Sequence, residues 1–162
     1  MTNLPFLDHP DTSSFTPQDI PAATLLDMAR GLDENASRTA GWDAPAMLYG
    51  FGAPAGTEKM ALVAIPVLGD GDQLELVQAQ AVPANLTALI VRVEGFVSLG
   101  DFGGESREVR ILSGVSRSGA SATIFRDRAT GRQIEDLTSS PLSDLLVSKL
   151  RGRRSIANIF GR

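Results

Sequence analysis

Six arginines crowd one stretch of the chain: Arg107, Arg110, Arg117, Arg126, Arg128 and Arg132. Guanidinium groups recognise carboxylates and phosphates through paired N–H donors, so arginines gathered on one face of a sheet make an anion-binding surface. Arg110, Arg117, Arg126 and Arg128 are the candidate set, and a small anion or a nucleotide is the ligand class they would take. The competing interpretation is a solvated, salt-bridged sheet face with Glu105, Glu108 and Asp127 as partners. An RNA-binding sheet would add stacked aromatics, and Phe125 stands alone there.

Other chemistry is sparse. The one histidine, His9, lies near the N-terminus, so a Ser-His-Asp triad would need that segment to fold back. The chain has no cysteine, which removes thiolate metal sites, disulfides and cysteine nucleophiles and fits a reducing, cytoplasmic compartment. Asp70-Gly71-Asp72 lacks the further ligands of a calcium loop and is expected to be a turn. Leu99-Gly-Asp-Phe-Gly-Gly-Glu105 is glycine-rich but has no Lys-Ser/Thr of a phosphate loop, so it is expected to be a connection, and the best loop for a ligand. These residues predict no enzyme, no metal and no cofactor.

The last twelve residues, Arg-Gly-Arg-Arg-Ser-Ile-Ala-Asn-Ile-Phe-Gly-Arg, pose a different question. Cations near a helix C-terminus oppose the helix dipole favourably, by about 0.3–1 kcal/mol per group, which accounts for Lys149 and Arg151. It does not account for Ile156, Ile159 and Phe160, which at i, i+3 and i+4 make an apolar edge on a short helix. Arg151, Arg153, Arg154, Ile156, Ile159 and Phe160 are therefore the candidate interaction residues, for a protein partner or a second copy of the chain. Disorder is the alternative, and weak nucleic-acid binding by the clustered charges ranks third.

The elements that must position these groups follow from pattern and totals. With 162 residues, 43% hydrophobic and 21% charged, one domain with a real core is expected. No run of about 18 apolar residues suggests a membrane span, and the N-terminus lacks the basic and apolar regions of a secretory signal. Net charge is −4, but residues 1–80 carry eleven acids against three basic residues and the remainder is net positive. Mixed surfaces in one fold explain this blandly; a basic face that meets a partner is the sharper alternative.

Residues 1–15 are expected to be an irregular arm, 16–152 a single domain and 153–162 a tail. Leu25, Met28, Ala29, Leu32 and Ala36 form one stripe of a helix that begins near Thr16 or Asp19 and exits at Gly41. Met47, Tyr49 and Phe51 alternate as in a strand. The run Lys59–Leu68, apolar on both faces, predicts a central strand. Residues 73–88 fit either a weak strand or a helix. Residues 87–99 predict a strand with Leu89, Val91 and Val93 on one face and Ile90, Arg92 and Glu94 on the other. A hairpin follows, turning at Ser118–Gly119. The last helix opens at Ser140-Pro141, carries Leu142, Leu145, Leu146 and Leu150 on one stripe, and is expected to end at Gly152. The sum is an α+β fold: an antiparallel sheet of about five strands, flanked by an N-terminal and a C-terminal helix packed on one face.

Trp42-Asp43 at the helix-to-strand junction is the most distinctive pair. It is either a core plug with Asp43 fixing the turn or a binding hot spot. Around it, Gly41, Trp42, Asp43, Pro45, Leu48 and Tyr49 resemble the Gly-Trp-Asp-x-Pro-x-x-Leu-Tyr/Phe segment of the PPA1309-like family of uncharacterised actinobacterial proteins. The hairpin from Arg107 to Arg128 is similar to that family's Arg-x-Val-Arg strand, Arg-x-Gly turn and Arg-x-Arg strand. Ala46 stands where the family pattern has arginine. The resemblance implies an α+β fold and brings no activity with it. The function expected from the sequence is a non-enzymatic interaction or assembly module.

Overall fold

The computed structural model describes residues 20–39, 41–53, 59–84, 86–98, 100, 103–138 and 140–161, with side chains described as far as Arg151. The expected N-terminal arm and His9 lie outside the described residues. So do the side chains of Arg153, Arg154, Ile156, Ile159 and Phe160.

The elements run α1 (Ala22–Thr39), β1 (Ala46–Gly52), β2 (Ala61–Val67), α2 (Gln73–Ala79), β3 (Ala88–Ser98), β4 (Ser106–Ser116), β5 (Ser121–Asp127), β6 (Gln133–Asp136) and α3 (Pro141–Gly161). The strands form one antiparallel sheet in the order β2-β1-β3-β4-β5-β6. The fold is α+β, with six strands; the short Gln133–Asp136 strand has too few residues to show a period of two.

The two long helices lie on opposite faces of the sheet, not on one. Leu25, Leu26 and Ala29 of α1 pack with Tyr49, Ala88, Ile90, Leu112, Ala122 and Ile124. Leu146 and Leu150 of α3 and Val77 of α2 pack with Leu48, Leu89, Val91, Val93 and Val115. The reason lies in β3, where Ala88, Leu89, Ile90 and Val91 are consecutive and wholly buried. A strand that is apolar at both parities needs a cover on each face. The division of β3 into a Leu89–Val91–Val93 face and an Ile90–Arg92–Glu94 face holds.

Gly114 makes the close approach of α1 possible. A Cβ there would sit 2.9 Å from Ile90 Cγ1 and 3.7 Å from Leu25 Cδ2. At the helix exit, Gly41 adopts φ +67° and donates its N–H to Ala36 O at 2.8 Å, which satisfies a carbonyl of the last turn.

The run Ala61–Val67 is an edge strand, not a central one. After the β1–β2 hairpin, α2 carries the chain across β1, and β3 takes the other side of β1. This leaves one side of β2 without a neighbour among the described residues. The ambiguous segment resolves as α2, capped by Asp72, whose Oδ2 accepts from Glu75 N at 3.2 Å.

In α3, Ser140 caps the start, with Ser143 N donating to its Oγ at 3.1 Å. Gly152 does not end α3, which runs on to Gly161. A single interior glycine costs a helix only about 1 kcal/mol, less than the neighbouring turns supply. Lys149 of α3 is buried and donates to the carbonyls of Gln78 (3.1 Å) and Gln80 (2.5 Å) at the end of α2. Burial holds its ammonium below the ordinary lysine pKa. The folded chain therefore releases this proton before the unfolded chain does, and stability should rise as pH climbs through the lowered value towards that of a free lysine. Urea midpoints of the wild type and Lys149→Met at pH 7 and pH 10 check this. The difference between them should move in the wild type's favour at the higher pH.

Candidate functional site

The sheet face under α1 carries Arg110 and Arg126. Arg110 of β4 lies directly across from Arg126 of β5. Two guanidinium groups side by side need a common anion, and α1 provides it: Asp33, wholly buried, accepts from Arg110 Nε at 3.0 Å and from Arg126 Nε at 2.7 Å. Arg110 is itself only 1% exposed. Its other nitrogens donate to Gly41 O at 3.2 Å and to Ser37 Oγ at 2.5 Å. Arg126 also reaches Gly131 O and Gln133 Oε1.

Trp42 is partly buried and has two cations against its ring. Arg110 Cζ is 4.9 Å and Arg128 Cζ 5.3 Å from its ring centroid. Arg128 grips Asp43 with both terminal nitrogens, at 2.8 and 2.9 Å, and also reaches Glu108 at 3.0 Å. Asp43 takes φ +64°, a left-handed conformation that aspartate tolerates better than most residues. Its N–H and that of Ala44 donate to Glu94, at 2.9 and 3.3 Å. Glu94 N in turn donates to Gln73 Oε1 at 2.9 Å, which ties α2 to the same junction.

Of the four candidate anion-binding arginines, the fold brings Arg110, Arg126 and Arg128 together around Trp42 and Asp33. Arg117 sits apart and donates to Leu86 O at 2.6 Å. Carboxylates already hold all three of the clustered guanidinium groups. Arg151 donates to Arg117 O at 2.9 Å, so the base of the C-terminal segment is pinned to the β4–β5 turn. Sequence reasoning overlooked Asp33. The signal was available, because Asp33 falls four residues after Ala29 on the buried stripe of α1, and a charge on a buried stripe demands a partner.

Beside this network is a shallow pocket of about 500 Å³, lined by Asp43, Ala44, Pro45, Gln73, Glu94 and Glu108 among others. Carboxylate oxygens of Asp43, Glu94 and Glu108 lie within 4.8 Å of one another, the one grouping among the described residues with the makings of a cation site. Their lone pairs already meet Arg128 and two backbone N–H groups, so the cluster has its own structural use.

Hydrogen bonds and ion pairs lower the pKa of several carboxyls. The Arg128 hydrogen bond holds Asp43 below the usual aspartate range, the Thr130 hydroxyl does so for Asp127, Arg30 for Glu135 and Thr138 for Asp136. Folded values below unfolded ones stabilise the protein above the ordinary carboxylate pKa, and that contribution is lost as pH falls through the folded values. The urea midpoint should be insensitive to these groups above about pH 5 and fall progressively below about pH 4. Asp43→Asn should flatten part of that fall.

The second distinctive surface is the β2 edge. Met60, Leu62, Val63 and Leu68 are 49%, 50%, 40% and 70% exposed, and the strand Ala-Leu-Val-Ala-Ile-Pro-Val carries no charge. The opposite edge, β6, is built differently. It has four residues, two of them acids, and Arg30 of α1 reaches over to Glu135 at 2.7 and 2.8 Å. No helix among the described residues is long and apolar enough to cross a membrane.

Comparison with known proteins finds no match to a family model, to a curated protein or to a solved structure.

Proposed function

We propose that this chain is a non-enzymatic interaction module that docks its partner by strand addition along β2, in the cytoplasm. The observation that carries this is the contrast between the two edges of one sheet. Folded proteins blunt free edges with short strands, charges or a covering element. β6 is short and acidic, with Glu135 held by Arg30 of α1, whereas β2 is seven residues long, uncharged and accompanied by large exposed hydrophobics, with Pro66 as its one blunting residue. An edge of that kind supplies both backbone hydrogen bonds and side-chain contacts to an added strand. The convergent charged side chains elsewhere are spent on each other, which supports binding over catalysis.

The basic, apolar end of α3, from Arg151 through Arg153, Arg154, Ile156 and Ile159 to Phe160, is the second contact element of this proposal. Deleting residues 153–162 should weaken assembly without unfolding the domain.

Amide exchange at Leu62 and Ala64 tests the proposal. The purified chain, diluted until monomeric, is compared with the tagged chain labelled in lysate of its own source. Docking predicts at least tenfold slower exchange at these amides in the crowded sample. Equal rates in both, with unchanged rates at core positions such as Ile90, would overturn it.

A further inference from the structure

We propose that the strand added to β2 is β2 of a second copy, paired antiparallel about a two-fold axis at Ala64, so that two six-stranded sheets join into one. This rests on the docking role of β2 and names its occupant.

The backbone comes first. Pro66 pairs with Met47, yet has no N–H. A mutually hydrogen-bonded pair is therefore ruled out, and Pro66 occupies the alternate position, whose backbone groups face away from β1. By the period of two, Leu62 and Ala64 also turn N–H and C=O outwards. A copy rotated about Ala64 meets these groups in kind. The two Ala64 residues exchange both bonds, and Leu62 N–H reaches the partner's Pro66 carbonyl on each side. The missing proline N–H costs one bond per copy and leaves the others intact.

Side chains then decide between a copy and an unrelated strand. Rotation about Ala64 sets Met60 against the partner's Leu68, Leu62 against the partner's Pro66, and Val63 against the partner's Ile65. Every pair is apolar, and the most exposed residue, Leu68 at 70%, meets Met60 at 49%. This register also overlaps all seven strand residues. Charge follows the same two-fold. The apolar stretch has a base at its start, Lys59, and acids after its end, Asp70 and Asp72. The antiparallel copy brings Lys59 to the partner's Gly69–Asp70 turn at both ends of the interface. A parallel neighbour of the same sequence would set like charge against like.

The chain's lack of cysteine makes the test direct. Ala64→Cys places a thiol on the proposed axis, opposite its own copy at a Cα separation of about 5.5 Å, within reach of a disulfide. Mild oxidation should convert most of that variant to a linked dimer. Leu137→Cys, exposed just beyond the β6 edge, should form no linked dimer under the same oxidation. The intact wild-type chain should show twice its 17.1 kDa mass by light scattering. Leu62→Lys, an exposed change that leaves the circular dichroism spectrum unaltered, should return a monomer.

A wild-type dimer that Ala64→Cys fails to link and Leu62→Lys leaves whole would overturn the proposal by placing the interface elsewhere. A wild-type monomer at its highest soluble concentration would overturn it too. If β2 amides were nonetheless slowed in lysate, a different protein would be the occupant and docking at β2 would stand. If they were not slowed, both would fall.

Discussion

Asp33→Ala should destabilise the fold by about 3–5 kcal/mol, the usual cost of removing one partner from a buried ion pair. Asp33 is wholly buried and is the carboxylate shared by Arg110 and Arg126. Without it, Arg110 keeps Ser37 Oγ, Gly41 O and the face of Trp42, but no charged partner among the described residues. Arg126 is 24% exposed and can turn towards water, so most of the loss belongs to Arg110. Urea unfolding at neutral pH measures it. A loss below about 1 kcal/mol, the range of exposed ion pairs, would show that Arg110 is hydrated in the native protein.

The same site separates stability from specificity. Replacing buried ions together with apolar residues of similar volume is often neutral, because the desolvation cost disappears along with the attraction. Asp33→Leu combined with Arg110→Met should therefore recover most of what Asp33→Ala loses. The charged version does something an apolar patch does not. Asp33 fixes α1 in register against the β4–β5 pair, and Gly41 O and Trp42 fix the chain's exit from α1 against Arg110. Arg128 and Asp43 then hand this junction on to Glu94 and, through Gln73, to α2. The Trp42-Asp43 pair thus acts as neither a buried plug nor a self-contained turn. It is the central piece of a polar chain linking both faces of the sheet.

Local signals were legible wherever a residue's own conformation or a strict period decided the outcome. Gly41 at the exit of α1, Ser140-Pro141 at the start of α3, the turn at Ser118–Gly119 and the two faces of β3 all follow from adjacent residues. What depends on the whole sheet was not legible. An apolar run on both faces was expected to mean burial between two layers, and this is true of Ala88–Val91. For Ala61–Val67 the same pattern sits at an edge. Nothing within seven residues tells whether the chain's own helices or something else will cover them. Strand order decides that, and α2 sets strand order by crossing β1. The arginines show the same limit. Alternation placed Arg110 and Arg126 on one face, but the carboxylate they share is 77 and 93 residues away, on α1.

The placement of α1 and α3 on opposite faces has a measurable consequence. Leu146→Ala should cost about 2–5 kcal/mol, because the removed atoms leave a cavity that surrounding residues fill only partly. Leu146 is wholly buried among Leu48, Leu89, Val91 and Val115, with α2 behind it through Val77. Helix propensity does not offset the loss, since the advantage of alanine over leucine is small. Ile90→Val removes one methylene on the other face, beneath Leu25 and Gly114, and should cost about 0.5–1.5 kcal/mol. The β-sheet backbone separates the two sites and they share no side-chain neighbours, so the double variant should show the sum to within about 0.5 kcal/mol. Were both helices stacked on one face, the two substitutions would open a common cavity and the sum would fail. Denaturant unfolding of the four proteins closes this cycle. A coupling above about 1 kcal/mol would contradict the two-sided core, and with it the geometry that covers every central strand while leaving β2 open.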